Sequence, residues 1–203
     1  GSFLAVVNAD EYMAVKAAKR LFETSTWNQG SGLEPQDIYE RLIANERVSL
    51  PVVDGVPQNE SVESLSPPPA NATSTLSAKY EKPYLMHGSI GPSAAMALAE
   101  GKKITIWTHS QGVYVLRQSL AEALSLEAEN LKIIHVPGAG CYGHNGADDA
   151  AVDAALIALA LAGKPILLKW TREDEHAWEP YGSSMVMDLN ASLDENGRVI
   201  KWS

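Results

Sequence analysis

LKIIHVPGAGCYGHNGADD, Leu131 to Asp149, is the stretch from which the rest of the chain is read. Lys132 to Val136 has the β-branched run of a buried strand, and Asp148 and Asp149 stand where a helix start favours acidic side chains. Between them Gly138, Gly140, Gly143 and Gly146 free the backbone for positive φ and for close approach to a ligand. A strand that runs into a glycine loop and then into a helix has the outline of a site.

The same arrangement stands just upstream. Ile104 to Thr108 reads as a strand, His109 to Gly112 as a polar turn, and Val113 to Leu124 as a helix with Val113, Leu116, Leu120 and Leu124 on one face. Two such units in succession predict neighbouring strands whose loops share one edge of a sheet, where ligands usually sit. Between Met86 and Ser93 the glycine-broken loop MHGSIGPS is expected to reach the same place.

With 203 residues, 45% hydrophobic and 20% charged, the chain has ordinary globular composition. A net charge of −9 without any Lys/Arg cluster argues against a nucleic-acid surface. The single cysteine, Cys141, excludes an intrachain disulfide and leaves the redox compartment open, and the longest apolar run, Ala154 to Ala162, is too short to span a bilayer.

In chain order, Phe3 to Val7 reads as a strand, followed by an Asn8/Glu11 capping box with a Val7/Tyr12 staple. The helix behind it is expected to bury Ala14, Ala17, Ala18 and Leu21. Trp27 lies in a short extended piece, and Pro35 opens a second helix carrying Ile38, Leu42 and Ile43. Ser49 to Thr75, with Pro51, Pro57 and Pro67 to Pro69, reads as a long surface connection without strand or helix period. Strands are expected at Ser74 to Tyr84, at Ala94 to Ala99 hairpinned to Lys103 to Thr108, at Ile166 to Trp170, and at Ser184 to Leu193 hairpinned to Arg198 to Trp202. A helix from about Ala150 to Ala162, with Val152, Ala155, Leu156 and Leu159 on one face, stops at Gly163. The fold class is α+β, an αβ sandwich containing βαβ units. The segments are 1–48 (strand, helix, helix), 49–73 (the Pro/Ser-rich connection) and 74–203 (an αβ domain). Apolar strands at both ends suggest excision from something larger, and their edges suggest association into a homo-oligomer.

Four motifs in order resemble the molybdenum-binding large subunits of the xanthine dehydrogenase and aldehyde oxidase family, in particular the isoquinoline 1-oxidoreductase and nicotinate dehydrogenase branch. KYEKPYLMHGSIGP, residues 79–92, is similar to the family's Y-x-x-P-x-x-x-H-x-x-x-x-P stretch, and IWTHSQGVYVLRQSLAEAL, 106–124, to its W-x-x-x-Q-x-x-x-x-x-R-x-x-x-A-x-x-L. PGAGCYGHNGADDAA, 137–151, falls at the family's glycine loop, and KPILLKWTREDEH, 164–176, at its P-V-x-x-x-x-x-R-x-E strand and turn. Further upstream, FLAVVNADEYMAVKAAKRL and TSTWNQG also resemble family segments.

The resemblance implies a molybdopterin cofactor, in its cytosine dinucleotide form, with Gln111 beside the apical oxo ligand. The amides near Cys141 and Tyr142, in the loop of Gly138 and Gly140, approach the metal's other oxygens. A neutral amide and loop N–H groups can donate to oxygens carrying negative charge. Asn145 aligns with a substrate-binding glutamate of the purine-oxidising members, and Cys141 stands where the loop commonly has Phe. The family's catalytic glutamate lies beyond the matched region, so no catalytic residue is assigned in 1–203. Implied partners are the remainder of the large subunit and an iron–sulfur small subunit or cytochrome acceptor, in bacterial cytoplasm or periplasm. The implied reaction hydroxylates N-heteroaromatic or aldehyde substrates with water as the oxygen source, the chain alone being inactive.

Other readings compete. THSQG resembles a nucleophile elbow, with Ser110, Asp153 and His176 in hydrolase order. Gly138, Gly140 and Gly143 spell G-x-G-x-x-G, but His144, Asn145 and Gly146 intervene before the helix and no acidic residue follows at the right distance. A purely structural or interaction module is the third. The five histidines form no i, i+4 zinc pair and read as ordinary surface or satisfied residues. Cys141 reads as a packing residue, and Trp107, Trp170 and Trp202 as core or interface.

Overall fold

Alanine facing alanine sets the main packing. In β4 (Ala94–Glu100) the inward positions are Ala95, Ala97 and Ala99, all buried, alternating with half-buried residues on the other face. Against them lies α4 (Ala147–Ala160), whose buried face is Ala147, Ala150, Ala151, Ala154, Ala155, Ile157 and Ala158. Small side chains on both surfaces let the helix settle close to the sheet. The expected face of Val152, Leu156 and Leu159 is corrected: Leu156 and Leu159 are exposed and Val152 is half-buried, because so shallow a gap admits a methyl and not an isobutyl group. Ala154→Leu is therefore expected to cost about 1–3 kcal/mol by overpacking, read as a lower midpoint in urea, whereas Leu156→Ala should cost well under half of that.

The computed structural model describes residues 3–28, 38–46, 48–61 and 66–203. They run α1 (Glu11–Thr24), α2 (Ile38–Ala44), β1 (Val52–Val53), β2 (Val56–Pro57), β3 (Ser74–Lys82), β4, β5 (Lys103–Thr108), α3 (Val113–Leu124), a 3₁₀ turn, β6 (Leu131–His135), α4, β7 (Ile166–Lys169), α5 (Arg172–Trp178), β8 (Met185–Leu193) and β9 (Val199–Trp202). The fold is α+β. Two compact units emerge, one of residues 1–32 and 86–181, the other of 33–85 and 182–203.

In the first unit the sheet order is β6-β5-β4-β7. β4 and β5 form the expected hairpin with Glu100 opposite Lys103, and Gly101 takes φ +61 at the first central position, as a type II′ turn requires. β5 and β6 are parallel neighbours joined through α3, a βαβ unit. β7 pairs antiparallel with β4 and so runs parallel to β5 and β6 from the far edge, reached by α4 crossing the sheet. Leu116 and Leu120 of α3 join the alanines of α4 in one core over Ile104, Ile106, Leu131 and Ile166.

The N-terminal expectations need correction. Phe3 to Val7 forms no strand among the described residues, since a strand needs a neighbour to take its hydrogen bonds and none pairs here. α1 is capped by Asp10, whose Oδ1 accepts the Met13 N–H at 2.9 Å, while Asn8 braces the Asp10 N–H instead. None of its residues is buried; Ala17 and Ala18 are exposed, and Ala14 and Leu21 are half-buried. Trp27 follows α1 without regular structure; the Gly30-Ser31-Gly32 end of its piece and Pro35 lie outside the described residues.

The second unit is the antiparallel sheet β3-β8-β9 with α2 and a small hairpin. β3 pairs with β8 along nine positions, Ser74 opposite Leu193 through Lys82 opposite Met185. At the β8–β9 turn the Asp194 carboxylate accepts the Asn196 and Arg198 N–H groups and Gly197 takes φ +75. Within the expected connection, Val52-Val53 and Val56-Pro57 pair across Asp54-Gly55, both at positive φ. The Asp-Gly dipeptide between valines is a type I′ signal that outweighs the neighbouring prolines.

Candidate functional site

Parallel pairing of β5 with β6 brings their two following loops to one edge: Thr108 stands opposite His135, and the Val136 N–H continues the ladder to the Thr108 carbonyl at 2.9 Å. The turn after β5, His109 to Gly112, is built from local bonds. Thr108, fully buried, donates its Oγ1 hydrogen to the Ala147 carbonyl at 3.2 Å and accepts the Ser110 N–H at 3.2 Å. Ser110 Oγ accepts the Gly112 N–H at 3.1 Å, and His135 Nδ1 donates to the Ser110 carbonyl at 2.9 Å. Gln111 at the tip is exposed, with no hydrogen bond to any described residue.

The glycine loop packs onto this turn. A Cβ at Gly138 would stand 2.5 Å from His109 Cβ and Cγ, so only a glycine lets the backbone pass. Gly140 and Gly143 take φ +111 and +129, conformations closed to other residues without strain. Asn145, buried, closes the loop: its Nδ2 donates to the Gly140 carbonyl at 3.2 Å and lies 3.5 Å from His109 Nδ1, while its Oδ1 accepts the Ala147 N–H at 3.2 Å. Gly146, the N-cap of α4, lies against Trp170, whose Nε1 hydrogen goes to Asp153 Oδ2 at 3.2 Å. The third loop arrives as well, with Gly91 on Ala139 and His87 on Gly143.

The chemistry on offer is donation. None of the backbone N–H groups from Gly138 to Gly146 finds an acceptor among the described residues. Together with the free amide of Gln111 they form a donor-bearing edge suited to oxygens with negative charge. Cys141 is half-buried and Tyr142 exposed. Both polar atoms of Asn145 are engaged within the loop, which places it as a brace.

His109 titrates below the ordinary imidazole range, chiefly because burial disfavours its charge, with Glu175 and Asp148 partly opposing. Its Nε2 accepts the Ala94 N–H at 3.3 Å, a bond that protonation would break. A base whose folded pKa is depressed binds its proton more readily when unfolded, so its contribution to stability is full above the unfolded value, about 6.5. That contribution is lost as pH falls from there toward the depressed folded value. Asp149 and Asp153, both raised first by burial, act with the opposite sign in the window above their ordinary 3.8. Urea unfolding at pH 7.5 and 5.5 isolates the histidine's share: the change in stability on lowering the pH should be less unfavourable in His109→Asn than in the wild type.

The hydrolase order finds no triad. Ser110 is buried and its hydroxyl bonds only within its turn, Asp153 holds Trp170, and His176 Nδ1 faces the Tyr181 hydroxyl at 3.3 Å. α4 opens at Ala147, four residues past the last fingerprint glycine, unlike a dinucleotide site. Two residues that the sequence reading missed, Glu175 and Glu179, lie buried beneath the third loop. After the expected strand to Trp170, TREDEH falls at the motif's turn but leads into α5, opened by a Thr171/Asp174 capping box that was the available signal. No helix among the described residues is long and apolar enough to cross a membrane.

Residues 61–203 match the model of the molybdopterin cofactor-binding domain. A nicotinate dehydrogenase subunit from Pseudomonas putida is 35% identical over 202 residues, covering 98% of this chain and 16% of that protein. The aldehyde oxidoreductase molybdenum-binding subunit PaoC of Escherichia coli O157:H7 is 26% identical over 97% of this chain and 26% of its own length. Quinoline 2-oxidoreductase of Pseudomonas putida 86 superposes with a TM-score of 0.57 at 14% identity, over 66% of this chain and 17% of that one. The aldehyde oxidoreductase of Desulfovibrio gigas gives 0.53 at 21% identity, over 64% and 14%. The chain thus spans about a sixth to a quarter of the curated relatives it matches.

Proposed function

The chain belongs to the molybdopterin cofactor-binding domain family, and from that premise we propose that it supplies one wall of the metal site in a molybdopterin-dependent oxidoreductase. The carrying observation is the meeting of two turns, His109 to Gly112 and Pro137 to Gly146, at one sheet edge with their donors free. Gln111 donates through its side-chain amide, and the N–H groups near Cys141 and Tyr142 donate from a loop held by Gly138 and Gly140. The residues fit the group: oxygens of a metal centre need donors in fixed places, and this edge provides them without a competing carboxylate among its hydrogen-bond partners. When bound, the cofactor supplies two-electron oxidation of a carbon centre; this chain's residues orient oxygens and hold charge.

The substrate class is an N-heteroaromatic compound or an aldehyde, hydroxylated with oxygen from water, in keeping with the names of the relatives. The cofactor form is the cytosine dinucleotide. Electrons leave to an iron–sulfur subunit or a cytochrome, and the remaining polypeptide of the large subunit closes the opposite wall. Asn145 acts on substrate only through the loop it braces, and residues 1–203 alone turn nothing over. Elemental analysis of the complete protein tests the reading, with about one molybdenum per large subunit expected. Absence of molybdenum, together with labelling of Ser110 by a fluorophosphonate probe, would replace it with hydrolase chemistry.

A further inference from the structure

Two carboxylates on and just after α5 make no hydrogen bond to either turn of the site described so far. Glu175 is fully buried, its Oε2 accepting the Ser93 N–H at 2.8 Å and its Oε1 the Ser93 hydroxyl at 3.0 Å. Glu179, one turn further on, is also buried: Oε1 accepts the His87 N–H at 2.6 Å and stands 3.1 Å from His87 Nδ1. The Pro180 carbonyl lies 3.0 Å from the same Nδ1. Both neighbours of Nδ1 are acceptors, so Nδ1 carries the hydrogen and Nε2 with Cδ2 forms the ring's free edge.

That edge lies on the glycine loop. A Cβ at Gly143 would meet His87 Cδ2 at 2.5 Å and Nε2 at 2.9 Å, and one at Gly91 would meet Ala139 Cβ at 2.6 Å. The two glutamates therefore grip both ends of segment 87–93, and the segment presses on the glycine loop at two points. A carboxylate taken out of water is costly unless its oxygens find donors. Oε2 of Glu179 finds none among the described residues, so its burial serves the grip on His87 better than it serves stability.

We propose that Glu179 and His87 are positioning residues of the site. The carboxylate fixes the imidazole, and its Nε2–Cδ2 edge holds Gly143, and with it the N–H groups of the adjoining turn, in the arrangement that receives a cofactor's oxygens. This rests on reading that turn as an oxygen-binding loop. Gly143 at φ +129 has wide backbone freedom, so without a wall its peptide planes would reorient.

The complete protein carrying Glu179→Ala, Glu179→Gln or His87→Asn decides the matter by three readouts: amide hydrogen exchange of peptides spanning 138–146, molybdenum per chain, and kcat separately from KM. Glu179→Ala and His87→Asn should speed exchange across 138–146 at least fivefold, leave peptides of β4 and β5 unchanged, and lower kcat at least tenfold. Glu179→Gln, whose amide oxygen still accepts both His87 hydrogens, should stay within threefold of wild type in every readout. Wild-type exchange in both Glu179→Ala and His87→Asn overturns the proposal, as does a Glu179→Gln variant impaired as much as Glu179→Ala. If Glu179→Ala does not fold, His87→Asn and Glu179→Gln carry the same comparison. Molybdenum-free wild type would defeat the functional reading instead, and the exchange data would still decide the positioning role.

Discussion

Gln111→Ala in the complete protein is expected to lower kcat by about a hundredfold or more, the usual scale for removing one preorganised donor to a developing negative charge. Thermal stability and molybdenum content should stay at wild-type levels. Gln111 is exposed at the tip of its turn, makes no hydrogen bond to a described residue, and precedes α3 rather than packing within it. Truncating such a side chain costs folding little, within about 0.5 kcal/mol. Turnover and stability therefore separate for this residue, as they would not for a core position. Comparison with Ser110→Ala sharpens the result: Ser110 Oγ accepts only the Gly112 N–H, so its loss should loosen the turn and shift turnover far less than loss of the amide. Unchanged kcat in Gln111→Ala would remove Gln111 from the site.

What the sequence made legible follows from how local each signal is. The α3 boundaries, Val113 to Leu124, emerge as expected because a polar turn and a clean apolar stripe define them within a dozen residues. The convergence of the two turns was readable for the same reason, since a strand–helix–strand unit of this length places both loops on one edge. The buried face of α4 was not, because its alanines look neutral until the alanines of β4 are known to lie opposite. Pairing of β3 with β8 joins residues more than a hundred positions apart and leaves no local trace. The buried Glu175 and Glu179 look in sequence like part of an acidic, solvated turn; only the fold shows that Ser93 and His87 are their partners.

Gly138→Ala is expected to damage both stability and cofactor retention, while Gly112→Ala, in the facing turn of the same site, should do neither. At Gly112 an added Cβ meets nothing within 4 Å, and φ is −125°, open to any residue. There the substitution only narrows the unfolded ensemble and is expected to be neutral or slightly stabilising, by up to about 1 kcal/mol. At Gly138 the methyl would meet His109 Cβ and Cγ at 2.5 Å, and these atoms are the root of a side chain that cannot swing aside. His109 is held in turn by the Ala94 N–H at Nε2, so relief must come from the loop backbone moving away. Overpacking of this kind costs about 1–3 kcal/mol, a drop of a few degrees in Tm for a chain of this size. The same displacement parts the two turns, drawing the N–H groups near Cys141 from the amide of Gln111, so molybdenum per chain should fall severalfold. Calorimetry and elemental analysis of the two alanine variants test this together: equal behaviour at 112 and 138 would mean that the contact between the turns does not shape the site.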